Sequence, residues 1–342
     1  MAILIPPMER VSGVCYAQTS QGVELPVVDV THPSFALDAS PAALAAVREH
    51  AAEEAAKWQH RPRWLRRLLY LLLARQSVLL QGMRASNGTF LSGMNTYLFK
   101  LGPAHLASSF AKRMDRKMAA KASALEVRYR LQAMAELLVE KLVAELRGAP
   151  ASRPVRLLNI AGGPAMDDLN ALILAQRRAP ELLAGRAVRI EVLDLHEEGP
   201  AFGRNALAAL REPGAPLAGV DAVFEHRDYD WNRPATLLES FAGTAGGAIT
   251  LGSSEGGLFH YGDDATIRVN LEALREYSGP SFSFTGSVGI DSPENRAALA
   301  LTGAAVRYFK MDAFEALVRR SGWRIERQVP TMRSLCVRLT KA

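Results

Sequence analysis

The segment Gly148-Ala-Pro-Ala-Ser-Arg-Pro154 divides the chain into two textures, and this division constrains the fold most. Proline and glycine there end any helix. Beyond it, short apolar runs alternate with amphipathic stretches. The pattern predicts strands over 155–160, 188–195, 222–225, 247–251 and 281–288. It predicts helices over 167–183, 200–211, 237–241, 264–277 and 312–321. Residues 323–329 and 335–339 read as a closing pair of strands. Strict strand–helix alternation implies an open, mostly parallel α/β sheet.

Before the boundary the texture is helical. Ser40-Pro41 offers an N-cap and a good first helical residue. Helices follow to about His60, over 62–84, and over 103–147 as one or two long elements. Ala85-Ser-Asn-Gly-Thr89 reads as a turn, and residues 1–40 as extended and irregular with at most a short strand. The expectation is therefore a helical domain over 1–150 and an α/β domain over 151–342. With 342 residues and 49% hydrophobic composition, a core can form without metal or disulfide staples. Two cysteines, Cys15 and Cys336, with no Cys/His cluster, argue against a structural zinc site and for a reducing compartment.

Charge is uneven. Residues 61–130 carry fourteen Lys or Arg against Asp115 and Glu126, in a chain of net charge +6. Such a stretch serves nucleic acid, a solvated surface, or a lid that attracts an anionic small ligand. It holds no recognised RNA- or DNA-binding motif. The start Met-Ala-Ile-Leu-Ile-Pro-Pro lacks a basic region followed by a long apolar one, and Leu68–Ala74 is too short to span a bilayer. A soluble, cytoplasmic protein with no membrane partner and no metal is expected.

In open α/β sheets ligands bind beyond the C-terminal ends of the strands. The first such loop is Asn159-Ile-Ala-Gly-Gly-Pro-Ala165, where Gly162 and Gly163 permit a tight turn and close approach. Asp194 ends the second strand, where a carboxylate can accept both hydroxyls of a ribose. Asp228 follows the third strand and can accept from an adenine amino group, with Tyr229 packed on the base. Gly252-Ser-Ser-Glu-Gly256 fits a nucleophile elbow at Ser254, but a hydrolase of that kind needs a late histidine, and His260 is the last one.

These motifs resemble the class I S-adenosylmethionine-dependent methyltransferases. Asn159–Ala165 is similar to that family's Asp-Ile-Gly-Gly-Gly-Pro-Gly loop. Asn159, Ala161 and Ala165 stand where it has an acid and two glycines. Asp194 matches its ribose acid and Asp228 its adenine-side acid. Gly247–Ser254 matches its fourth strand, and 323–339 its antiparallel terminal hairpin. The resemblance covers about 155–342. It implies an α/β, Rossmann-like class I methyltransferase core behind an N-terminal all-helical domain, with S-adenosyl-L-methionine as cofactor. Asn159, Ala161, Gly162, Gly163, Asp194, Leu195, Asp228, Tyr229, Ser253 and Ser254 would surround it. Glu255, His260 and Tyr261 are candidates to deprotonate or orient an acceptor. Asn95 and Tyr97, in a polar segment between helices, are candidates from the lid.

Val28–Pro33 and Ser92–Leu98 also look similar to bacterial natural-product enzymes of this fold. That branch includes azetidine-2-carboxylate synthase. The resemblance implies methyl transfer to a small molecule in bacterial secondary metabolism. It also implies an alternative, cyclisation of S-adenosylmethionine to azetidine-2-carboxylate with release of methylthioadenosine. RNA methylation and non-catalytic binding are the remaining readings.

Overall fold

The computed structural model describes residues 2–60, 62–85, 92–241, 247–302 and 305–342. The turn expected over 85–89 falls, after Ala85, outside the described residues. The N-terminal part opens with a hairpin, β1 (Tyr16–Gln18) and β2 (Glu24–Pro26), so this part is not all helical. The β-branched run after Gly22 pairs locally, which a single-strand reading of the segment missed. Helices α1 (Pro41–Gln59), α2 (Arg63–Ala74), α3 (Val78–Ala85), α4 (Gly93–Leu101), α5 (Arg113–Ala119) and α6 (Ala122–Arg147) follow. The helix expected over 62–84 is broken at Arg75–Ser77. There Ser77 Oγ accepts the Leu80 N–H and donates to Asp115. A serine that binds backbone in this way favours a helix start.

The α/β part is β3 (Val155–Ile160), α7 (Met166–Arg178), β4 (Val188–Asp194), α8 (Glu198–Leu210), β5 (Ala222–Asp228), α9 (Ala235–Phe241) and β6 (Ile249–Ser254). Then come α10 (Leu258–Tyr261), α11 (Asp264–Tyr277), β7 (Ser283–Gly289), α12 (Pro293–Thr302), α13 (Met311–Arg320), β8 (Trp323–Pro330) and β9 (Ser334–Lys341). The seven strands are ordered β5-β4-β3-β6-β7-β9-β8. The first five are mutually parallel, while β9 runs antiparallel to both β7 and β8. The fold is therefore α/β and Rossmann-like, with the antiparallel terminal hairpin that the resemblance implies. Helices α4, α10 and α12 have no counterpart in the sequence expectation, which placed Asn95 and Tyr97 in a segment between helices.

Strand β3 is buried along its whole length, as a central parallel strand must be when both faces are covered. Leu157 joins the core under α6, α7 and α8, and Leu158 joins the opposite core with α11 and α13. The first of these cores also takes in Leu25, Val28, Tyr97 and Leu101. Apolar packing is thus continuous between the helical part and one sheet face. From β3 the chain steps outward through β4 to β5 and then crosses back to β6 on the other side of β3, so the strand order reverses at β3. Such a reversal opens a crevice at the C-terminal strand ends. Among the described residues no helix is long and apolar enough to cross a membrane.

Candidate active site

A cleft occupies this switch point. It encloses about 760 Å³ of empty space, its open mouth included. Its walls come from four strand ends and two helices. Ala161 and Gly162 follow β3, Asp194, Leu195 and His196 end β4, and Tyr229 to Asn232 follow β5. Glu255 to Gly257 follow β6, Tyr261 ends α10, and Gly93, Thr96 and Lys100 come from α4.

The loop after β3 is a bend with little room for side chains. Ala161 and Ala165 adopt φ of +53° and +49°, conformations that cost an L-residue roughly 1–2 kcal/mol each. At Gly162 a Cβ would lie 2.0 Å from Asn159 Oδ1. At Gly163, with φ +58°, it would lie 2.8 Å from the Gly93 Cα. Gly199 closes on the same point, since its Cβ would lie 2.7 Å from the Gly163 Cα. Three glycines from α4, the loop and α8 thus meet backbone to backbone. Gly163 serves this seam and is not part of the cleft wall, contrary to expectation. Its N–H donates to Asp194 Oδ2 at 3.0 Å, and the His196 N–H donates to Oδ1 at 3.0 Å. Burial pushes the Asp194 carboxyl above its ordinary range, opposed by these two bonds. Each oxygen has a further lone pair for a ligand.

Beside Asp194, Leu195 leaves half of its surface exposed, an apolar shelf in the cleft. Tyr229 forms part of the opposite wall. Its hydroxyl bonds Asn270 Oδ1, which fixes the ring, and burial raises its pKa. Asp228 does not line the cleft. It ends β5, the edge strand, and is exposed, because that strand runs three residues beyond the expected end. Asp230 lines the cleft instead, two residues on, where it accepts the Asn232 N–H.

Beneath the loop lies a buried polar array. Asn159 Nδ2 donates to Asp167 Oδ1, Asp168 Oδ2 and Ser253 Oγ at 2.8–3.0 Å. The Asn159 amide nitrogen is thereby committed inside the protein, while its Oδ1, beside Gly162 of the cleft wall, is buried with no hydrogen-bond partner among the described residues. Ser253 is committed with it. Ser254 donates to the Ile160 carbonyl and accepts the Leu258 N–H, which also removes it from the cleft. Burial drives the Asp167 and Asp168 carboxyls upward, Asp168 further because Asp167 is beside it.

Glu255 is in the cleft wall but is no general base. Its Oε1 takes Arg130 Nε at 2.5 Å and its Oε2 pairs with Lys100 Nζ. Burial works to raise its pKa, yet the two cations hold it at about 2. His260 is buried away from the cleft, with Nε2 3.2 Å from Ser287 Oγ. Desolvation and the neighbouring Arg130 lower it to about 3, so it is neutral at physiological pH.

Of the two lid candidates, neither reaches the cleft. The Tyr97 hydroxyl donates to the Pro26 carbonyl and accepts the Val28 N–H, which ties α4 to the segment after β2. Asn95 packs on Gly82, where a Cβ would lie 2.6 Å from its Oδ1. The cleft-facing residues of α4 are Gly93, Thr96 and Lys100, an i, i+3, i+7 set that helical periodicity could have identified. Tyr261 remains in the wall as expected.

No protein-family model and no curated protein matches the chain. Among solved structures, a possible exported protein from Bordetella parapertussis is similar over 89% of this chain and 99% of its own. The identity is 16% and the TM-score 0.50. Magnesium protoporphyrin IX methyltransferase from Synechocystis PCC 6803, with bound SAH, matches 65% of this chain and 89% of its own. Its identity is 15% and its TM-score 0.44. Mitomycin 7-O-methyltransferase matches 93% and 77% at 15% identity, with a TM-score of 0.38. At 16% identity the likeness to the Bordetella protein is one of fold alone.

Proposed function

We propose that the cleft binds S-adenosyl-L-methionine and that the chain transfers its methyl group to a small molecule. The observation that carries this reading is the Asp194 carboxylate. It is oriented by the N–H groups of Gly163 and His196 and faces the same cleft as the Ala161–Gly162 bend. A carboxylate so held, at the end of the strand beside the switch point, suits the two hydroxyls of a ribose. Leu195 supplies an apolar face for a base, and Tyr229 a rigid wall. The seam of Gly93, Gly163 and Gly199 fills the outer side of the loop, so a pyrophosphate has no room against Gly163. This favours a nucleoside ligand over a dinucleotide.

When bound, the ligand supplies a methyl carbon already activated by a sulfonium. The chain's own task is then alignment and exclusion of water. Helix α4 covers one side of the cleft through Gly93, Thr96 and Lys100. Glu255 remains ionised and paired, and Tyr261, in the same cleft wall, is suited to orient an acceptor.

Calorimetry with S-adenosylmethionine tests the reading. Binding is expected, and Asp194→Asn should weaken it by about 1–3 kcal/mol through loss of charge-assisted hydrogen bonds. No binding by the folded wild-type protein would refute it. Product analysis separates the two chemistries. S-adenosylhomocysteine formed only with an acceptor indicates methyl transfer. Methylthioadenosine formed with no acceptor would instead mean ring closure, in which the ligand amine attacks its own Cγ and the C–S bond breaks.

A further inference from the structure

Lys100 is a buried cation without a task in the account above. It lies in the last turn of α4, is 3% exposed, and pairs with Glu255 in the cleft wall. Glu255 already has Arg130 on its other oxygen, so one carboxylate serves two cations. Removing an ammonium from water is expensive unless a partner compensates fully. As a tie between the helical part and the loop after β6, Lys100 duplicates Arg130 of α6. The two differ in one respect: Lys100 borders the cleft and Arg130 does not. Gly256 and Gly257, next in the same wall, bring no side chain to cover the ammonium. Behind it, Asp167 and Asp168 sit on the first turn of α7 and accept from Asn159; burial raises both carboxyls, and the Lys100 charge opposes the rise at Asp167.

We propose that Lys100 and Glu255 form a receptor for an α-amino-acid terminus, with Lys100 the specificity-determining residue for its carboxylate. The ligand carboxylate takes the half-shared ammonium of Lys100. Glu255, still held by Arg130, accepts the ligand ammonium. The incoming terminus is a zwitterion, so the exchange adds no net charge to a buried site, and every ion keeps a partner. The helical part thereby contributes directly to ligand choice. The inference rests on the adenosyl reading and narrows it to nucleosides that carry a free carboxylate.

The test is calorimetry with S-adenosylmethionine, its decarboxylated analogue, and methylthioadenosine, which lacks the amino-acid terminus. The wild-type protein should prefer S-adenosylmethionine over the decarboxylated form by about 30-fold, the value of one charge-assisted hydrogen bond. Lys100→Met should lower the affinity for S-adenosylmethionine by that factor, with the decarboxylated ligand and methylthioadenosine within about 3-fold of wild type. Lys100→Arg should restore the preference. Thermal melting verifies that each variant is folded, and Lys100→Gln replaces Lys100→Met if the latter is not. A wild-type protein that binds the decarboxylated form as tightly as S-adenosylmethionine overturns the proposal. So does a Lys100 variant that weakens all three ligands alike, which is the mark of a structural tie. A wild-type protein that binds none of the three refutes the adenosyl reading, and the Lys100 assignment falls with it.

Discussion

Replacing Gly163 by alanine drives a methyl group into the seam where α4, the bend after β3 and α8 meet. Two costs follow from the geometry. The residue has φ of +58°, which costs alanine roughly 1–2 kcal/mol relative to glycine. The added Cβ lies 2.8 Å from the Gly93 Cα, a backbone atom that moves only with its helix, and such overpacking costs roughly 1–3 kcal/mol. The expected loss of stability is about 2–5 kcal/mol. Gly93→Ala forces the same gap from the other side, with its Cβ 2.7 Å from the Gly163 Cα, but its φ is not positive. It also gains up to about 1 kcal/mol of helix propensity at the start of α4, so its net cost is about 0–2 kcal/mol. The two methyl groups compete for one space. Once the seam has opened for the first, the second is cheaper, and the double variant should fall short of the sum by about 1 kcal/mol. Urea denaturation followed by tryptophan fluorescence measures all three variants. A Gly163→Ala protein within 0.5 kcal/mol of wild type, or strict additivity in the cycle, would refute the seam as described.

Glu255→Gln leaves Arg130 and Lys100 buried without their counter-ion and should destabilise the fold by about 3–5 kcal/mol, read by denaturant titration; a loss below about 1 kcal/mol contradicts the ion cluster. Because the Glu255 pKa is depressed to about 2, its stabilisation is present above the unfolded value near 4.5. It is lost as pH falls through the folded value, so the variant and wild type should converge in strong acid. His260 is the reverse case of a buried neutral base lowered to about 3. Below about pH 6.5 the unfolded chain binds a proton that the native state refuses. His260→Gln should therefore gain on wild type by about 2 kcal/mol between pH 6.5 and 5, and parallel pH curves would show that His260 is not held neutral. Asp168 has a raised carboxyl pKa, so its contribution is fully present below the unfolded value near 3.8 and is lost as pH rises through the folded one. Asp168→Asn should be close to neutral or stabilising above pH 7 and should flatten this part of the pH profile. A large loss at neutral pH would mean that an ionised Asp168 is needed.

Where local chemistry decides structure, the sequence was sufficient. The boundary at Gly148–Pro154, the alternation that follows, the bend at Ala161–Gly162 and the acid ending β4 all lie within short windows that hydrophobic period and turn residues control. Asp194 was legible because it ends β4, the strand next to the switch-point strand β3, and that end borders the crevice. Asp228 was misplaced because β5 continues three residues further. It follows the pairing of β4 up to the register partners Asp194 and Asp228, and pairing is not a local property.

The tertiary structure decided which side chains face the cleft and which carry charge there. Asn95 and Tyr97 lie within one turn of Thr96, yet only the docking of α4 against Gly163 selects Gly93, Thr96 and Lys100 as the inward face. Glu255 reads as a base in isolation. It becomes a paired, permanently ionised group because Arg130, 125 positions earlier, and Lys100 are folded onto it. The Asn159 amide nitrogen and the Ser253 hydroxyl look like ligand contacts by position but are taken up by carboxylates of α7. Local sequence sets backbone conformation through short-range sterics and solvation. Burial and long-range pairing set the protonation and the availability of side chains, and both exist only once the distant segments have packed.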